Sequence, residues 1–192
     1  MAVSAAGAIF LDKDGTLIDD LPYNVDPRRI RLAPGAAAGV RRLSRLGYRF
    51  LVVSNQPGVA QGRFDAAALE PVRRRLAQLL AEQGARLAGF YFCPHGPDEG
   101  CACRKPRAGM LTRAAAEHRV DLSASWMIGD ILDDVEAGRR ARCSTILVDC
   151  GNETEWRLDA ARTPHHVVHR LDSAADIVAR EAARRHGLWG RR

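Results

Sequence analysis

The chain has 192 residues, enough for one domain with a substantial core, and its 46% hydrophobic content is ordinary for a soluble protein. Its 29 basic and 23 acidic residues leave a net charge of +6, but the arginines are dispersed (Arg73 to Arg75, Arg139 to Arg142, Arg184 to Arg192) and aromatics are only 6%, which argues against a base-stacking nucleic-acid platform. No stretch is apolar enough to span a bilayer, and the N-terminus lacks the cationic start of a signal peptide, so a cytoplasmic protein without a membrane partner is expected.

The first predicted element is a buried strand, Ala8 to Asp12, ending in Asp12-Lys13-Asp14-Gly15-Thr16. Two carboxylates this close do not both stay ionised unless a cation shares them, so the pair asks for a metal, for an acid and a base, or for both. An Asp/Gly turn after a strand is the plainer alternative. The next element is a helix in which Ala36, Val40 and Leu43 share a face. About twenty residues separate Thr16 from it, too few for an inserted domain.

A second strand, Arg49 to Ser54, runs into Ser54-Asn55-Gln56-Pro57-Gly58, a hydroxyl and two amides able to donate to a phosphoryl oxygen. A second helix follows, with Leu69, Val72, Leu76 and Leu79 on one face; Pro71 is expected in its first turn, where a missing N–H costs nothing. A third strand, Gly89 to Cys93, opens a cysteine cluster. Cys93, His95, Cys101 and Cys103 place three thiolates and one imidazole within eleven residues, the donor set of a tetrahedral zinc site. Four protein ligands leave no open position, so this zinc is expected to be structural. A disulfide is the rival, without secretory context to favour it. Arg104-Lys105-Pro106 follows directly, a planar fork and a point charge suited to phosphate.

A third helix is expected over Met110 to His118 and a fourth strand over Ser125 to Gly129, the latter running into Asp130. A carboxylate there suits a hard cation such as Mg²⁺. Asp133 and Asp134 begin a fourth helix to Arg140, where they can cap its start; Asp134 can also orient a nearby lysine. A fifth strand, Thr145 to Asp149, is flanked by Cys143 and Cys150, expected as small apolar fillers. His165, His166 and His169 lie in a short strand with no partnering acid or cysteine nearby, and the tail beyond Asp172 is helical and frays towards Arg191 and Arg192. Strand–helix alternation predicts a parallel sheet covered on both faces.

In this order, the Asp-x-Asp-Gly-Thr, Ser-Asn-Gln, Arg-Lys-Pro and Gly-Asp segments resemble the four motifs of the haloacid dehalogenase superfamily of phosphotransferases. The resemblance covers Ile9 to about Asp134. It implies a three-layer, Rossmann-like, doubly wound α/β fold without a cap domain, one domain over residues 1–192 with a zinc loop at 93–103. It also implies a Mg²⁺-dependent phosphatase acting through an aspartyl-phosphate. Asp12 would be the nucleophile and Asp14 the acid, then base. Ser54 and Lys105 would stabilise the phosphoryl group, and Asp12, Asp14 and Asp130 would hold Mg²⁺.

The zinc loop is similar to that of two bacterial groups within the superfamily. One removes the 7-phosphate of D-glycero-D-manno-heptose 1,7-bisphosphate; the other hydrolyses histidinol phosphate. The short His95–Cys101 spacing resembles the second, while Tyr23 to Pro27 and Gly151 to Trp156 resemble the first. By the same resemblance Asp20, Tyr23, Asn55, Gln56 and Arg104 would shape sugar recognition. The expected partner is a small phosphorylated substrate, a sugar bisphosphate, acted on by a monomer. A polynucleotide 3′-phosphatase and a non-catalytic zinc-dependent binding module are the more distant readings; the second leaves Asp12, Asp14, Lys105 and Asp130 unexplained as a set.

Overall fold

The structure is a computed structural model, and it describes residues 7–185. Six strands form one parallel sheet: β1 (Ala8–Leu11), β2 (Arg49–Asn55), β3 (Leu87–Cys93), β4 (Trp126–Gly129), β5 (Ser144–Val148) and β6 (His166–Val168). Five helices accompany them: α1 (Ala36–Ser44), α2 (Leu69–Glu82), α3 (Gly109–His118), α4 (Leu132–Arg140) and α5 (Leu171–Arg185). The strand order is β3-β2-β1-β4-β5-β6. All predicted elements are present, with boundaries shifted by one or two residues. Residues 186–192, which include part of the last arginine run and the expected frayed end, lie outside the described residues.

The sheet is buried on both faces because strand side chains alternate. Ile9 and Leu11 join Val52, Ile128, Ile146 and residues of α1, α2 and α5 in one apolar layer. Ala8 and Phe10 join Leu51, Val53, Met127 and residues of α3 and α4 in the other. Apolar residues therefore run continuously through the central strands, as a parallel sheet covered on both sides requires. Pro71 is the third residue of α2, in the first turn, after a 3₁₀ turn at Ala66–Ala68.

The chain winds outward from β1 to β2 and β3, then crosses back to β4 beside β1. Neighbouring connections leave the sheet in opposite directions at that point, which opens a crevice at the carboxyl ends of β1 and β4. Leu11 pairs in register with Ile128, and the Asp12 N–H donates to the Ile128 carbonyl at 2.9 Å. That bond carries Asp12 and Asp130 to the same edge of the sheet.

Two cysteine expectations separate here. Cys143 is buried in the α3/α4 layer, as a small apolar filler should be. Cys150 is exposed, with its thiol 3.5 Å from the Gly15 carbonyl, because β5 ends at Val148 and the chain has already left the sheet.

Candidate active site and zinc loop

Asp12, Asp130 and Asp134 form a cluster of buried carboxylates, with one oxygen from each within 4.8 Å of the others. Lys105 enters the cluster almost fully buried. Its ammonium pairs with Asp12, lies 2.6 Å from Asp134 and donates to the Val53 carbonyl at 3.0 Å. Burial opposes the charge on Lys105, but Asp12 and Asp134 outweigh it and raise its pKa. Asp134 also accepts from the Ile131 N–H at 3.3 Å, so it both closes the first turn of α4 and holds the lysine. Gly129 makes room for it, since a Cβ there would stand 2.2 Å from the Asp134 carboxyl carbon.

Asp130 pairs with no cationic side chain among the described residues. Its carboxylate accepts from the Thr16 hydroxyl at 3.1 Å and from the Asn152 amide at 2.7 Å. Burial, with Asp12 and Asp134 close by, pushes its pKa up to about 8. Gly15, in the left-handed region at φ +75°, leaves the space in which Asp130 and Asn152 meet; a Cβ there would lie 2.2 Å from the Asp130 oxygen.

Three buried carboxylates and one lysine leave an excess of negative charge on hard oxygen donors. That set fits Mg²⁺, which prefers such ligands and would relieve their repulsion. Asp12 and Asp130 of the expected ligand set lie in this cluster, and Asp134 lies with them. The Asp14 carboxylate lies outside the cluster because Lys13, itself buried, holds it at 2.5 Å. Burial raises the Asp14 pKa, Lys13 opposes this, and Asp12 adds to it.

Ser54 and Gln56 are buried at the end of β2. The Gln56 amide donates to Ser54 Oγ at 2.8 Å and to Asp14 at 3.4 Å, which leaves the serine proton free to donate. Asn55 binds both backbone groups of Lys105, accepting from its N–H and donating to its carbonyl, each at 3.0 Å. Asn55 and Gln56, expected as sugar contacts, are thus engaged in setting Lys105, Ser54 and Asp14. The remaining expected substrate residues lie nearer solvent. Asp20 is exposed, Tyr23 is half-exposed at φ 58° with the Arg63 guanidinium 4.0 Å from its ring centre, and Arg104 donates to the His95 carbonyl at 3.2 Å. Lys13, Thr16 and Asn152 were given no role from sequence, although Lys13 and Thr16 stand in the Asp12-to-Thr16 segment and Asn152 in the Gly151-to-Trp156 stretch that carries the resemblance; Arg63 had no local signal.

Cys93, His95, Cys101 and Cys103 converge with one donor atom each within 4.8 Å. Sulfur separations of 3.2, 3.5 and 3.5 Å are far too long for a disulfide. They approach the edge of roughly 3.8 Å that tetrahedral Zn–S bonds of about 2.3 Å imply. His95 presents Nδ1 to Cys93 and Cys103 at 3.5 and 3.3 Å. The four residues would hold zinc with no position left for substrate. The loop is tied to the basic segment behind it by the Arg104 N–H on Cys101 Sγ, 3.4 Å, and the Arg107 guanidinium on the Cys101 carbonyl, 2.5 Å.

Residues 102–174 match the HAD-hydrolase-like family model. A D-glycero-β-D-manno-heptose-1,7-bisphosphate 7-phosphatase of Pseudomonas aeruginosa is 40% identical over 144 residues, covering 74% of this chain and 81% of that protein. The chain belongs to the haloacid dehalogenase-like phosphatases. The corresponding phosphatase of Escherichia coli K12 is 35% identical over 169 residues, covering 80% of this chain and 88% of the relative. Among solved structures, the D,D-heptose 1,7-bisphosphate phosphatase of Bordetella bronchiseptica, complexed with magnesium and phosphate, superposes with a TM-score of 0.77 at 31% identity, covering 91% of this chain and 99% of that one. A HAD-like phosphatase of Mesorhizobium loti follows at 0.73 and 31%, covering 91% and 85%.

Proposed function

We propose that this phosphatase removes the 7-phosphate of D-glycero-D-manno-heptose 1,7-bisphosphate, in the β-anomeric form named for its relatives. The observation that carries the chemistry is the buried constellation at the ends of β1 and β4: Asp12 beside Lys105, with Asp130 and Asp134 around it. Asp12, Asp130 and Asp134 would hold Mg²⁺, which supplies charge neutralisation for the transferring phosphoryl group.

In the first step an Asp12 carboxylate oxygen attacks phosphorus, and the bond from phosphorus to the sugar oxygen breaks. Asp14 gives its proton to the departing alkoxide. Its raised pKa favours that protonated form, and Lys13 and Gln56 fix where the carboxyl stands. Lys105 and the Ser54 hydroxyl meet the charge on the phosphoryl oxygens. In the second step Asp14, now a carboxylate, takes a proton from water; the water oxygen attacks phosphorus, and Asp12 leaves as a free carboxylate. Asp20, Tyr23 and Arg104 form the rim against which the sugar rests, while Asn55 acts through Lys105.

The protein is read as a single-domain cytoplasmic monomer. Unpaired cysteines suited to zinc support a reducing compartment, and no helix among the described residues is long and apolar enough to cross a membrane. Initial rates on β-heptose 1,7-bisphosphate and on histidinol phosphate, with Mg²⁺ present, test the substrate assignment. A preference for histidinol phosphate would overturn it.

A further inference from the structure

Lys105 serves two of the three clustered carboxylates, Asp12 and Asp134. Asp130 is held by neutral donors, the Thr16 hydroxyl on one oxygen and the Asn152 amide on the other. Thr16 belongs to the β1 turn. Asn152 comes from a different part of the chain, the irregular segment between β5 and β6. That segment is anchored at several points. Glu153 accepts from the Leu132 N–H at the start of α4, 2.7 Å. Arg162 pairs with Asp133 at 3.1 Å and Glu136 at 3.0 Å, and the Arg139 guanidinium donates to the Ala160 carbonyl at 3.1 Å. The amide is therefore delivered from a fixed support, and the conformation of Gly15 leaves the gap it occupies.

We infer that Asn152 is a positioning residue for the catalytic cation: by donating to Asp130 it fixes the rotamer of that carboxylate and presents its free lone pairs to Mg²⁺. A neutral donor suits this task, because it orients the carboxylate without cancelling the charge the cation needs. A lysine or arginine in its place would compete with Mg²⁺ for Asp130. Partners behind a metal ligand commonly change metal affinity or activity by about 10–100-fold when removed. Glu153 contributes by pinning the residue next to Asn152 to the helix that carries Asp134.

The test uses zinc-loaded Asn152→Ala and Asn152→Leu proteins, both lacking the donor. Asn152 is exposed in its loop, so neither substitution removes core packing. Mg²⁺ alone is titrated calorimetrically in the absence of substrate, and p-nitrophenyl phosphate hydrolysis is then followed against Mg²⁺ concentration. The dissociation constant and the half-saturating Mg²⁺ concentration should both rise about tenfold or more. At saturating Mg²⁺ the KM for p-nitrophenyl phosphate should match the parent protein. Unchanged Mg²⁺ affinity would overturn the inference, and a raised KM with unchanged Mg²⁺ affinity would make Asn152 a substrate contact instead. The inference rests on the cation site described above but not on the heptose assignment, because the calorimetry contains no sugar.

Discussion

Replacing Asp12 with asparagine keeps its volume and removes the nucleophilic charge. Lys105 would still have Asp134 and the Val53 carbonyl as partners, so the fold should survive while hydrolysis is lost. A phosphate-release assay beside a thermal melt checks both halves of that expectation; retained turnover would remove Asp12 from its role. Lys105→Met is the opposite case. It is close in volume but strips the paired cation from Asp12 and Asp134, both buried. Removing one partner of a buried ion pair costs about 3–5 kcal/mol, so urea denaturation should show a loss of that order. Bound Mg²⁺ should recover part of it, since a cation takes over the vacated charge.

At the scale of elements, the loop from Cys93 to Cys103 aims the basic segment that follows. Stripping zinc while keeping Mg²⁺ should raise KM and lower kcat together, because Arg104, the residue directly before Lys105, loses its support from Cys101 and His95. Steady-state kinetics of zinc-depleted, Mg²⁺-replete protein decide this, and unchanged constants would reduce the loop to a remote staple. On the far side of the sheet, His165 joins β5 to α4 through Thr145 and Arg139. Burial first, then the neighbouring Arg139 and His166, lower its pKa in the fold. A depressed value means the unfolded chain takes up the proton first. The stability linked to neutral His165 is complete above about pH 6.5 and is lost as pH falls towards the folded value. Urea midpoints measured at mildly alkaline and mildly acidic pH should therefore converge more closely for His165→Gln than for the parent protein.

For the whole molecule, the net charge is +6, and no domain is inserted between β1 and α1. A phosphate ester carries about −1.5 to −2 charge at neutral pH, so its capture should be steered. Raising ionic strength from roughly 0.01 to 0.15 M should lower kcat/KM while kcat changes little, because the Debye length contracts from about 30 to 8 Å. An activity on DNA 3′-phosphate ends with a steeper salt dependence would instead favour a polynucleotide substrate. The strand order is decisive at this scale. Placing β4 beside β1 brings Asp130 to Asp12 across more than a hundred residues of chain, and the crevice follows from that adjacency.

Local pattern carried much of this protein. Strand alternation, helical spacing and the placement of Pro71 are properties of a few consecutive residues, and the three cysteines and one histidine that could hold zinc sit within one loop, so all were legible without coordinates. Asp12 and Asp130 were legible because each ends an apolar run abruptly. The division of labour inside the site was not. Asp134 joins Asp12 and Asp130 in the carboxylate cluster, while Lys13 pairs with the Asp14 carboxylate. Asn55 and Gln56 serve Lys105, Ser54 and Asp14, and Asn152 reaches Asp130 from a loop that carries no periodic signal. Sequence by itself determined the elements, since short-range backbone and burial preferences act locally, and the order of its four motifs carried the resemblance to the superfamily. Only the tertiary structure decided which charge neutralises which, because those pairings join residues brought together by the crossover from β3 to β4, and electrostatic partnership depends on distance in space.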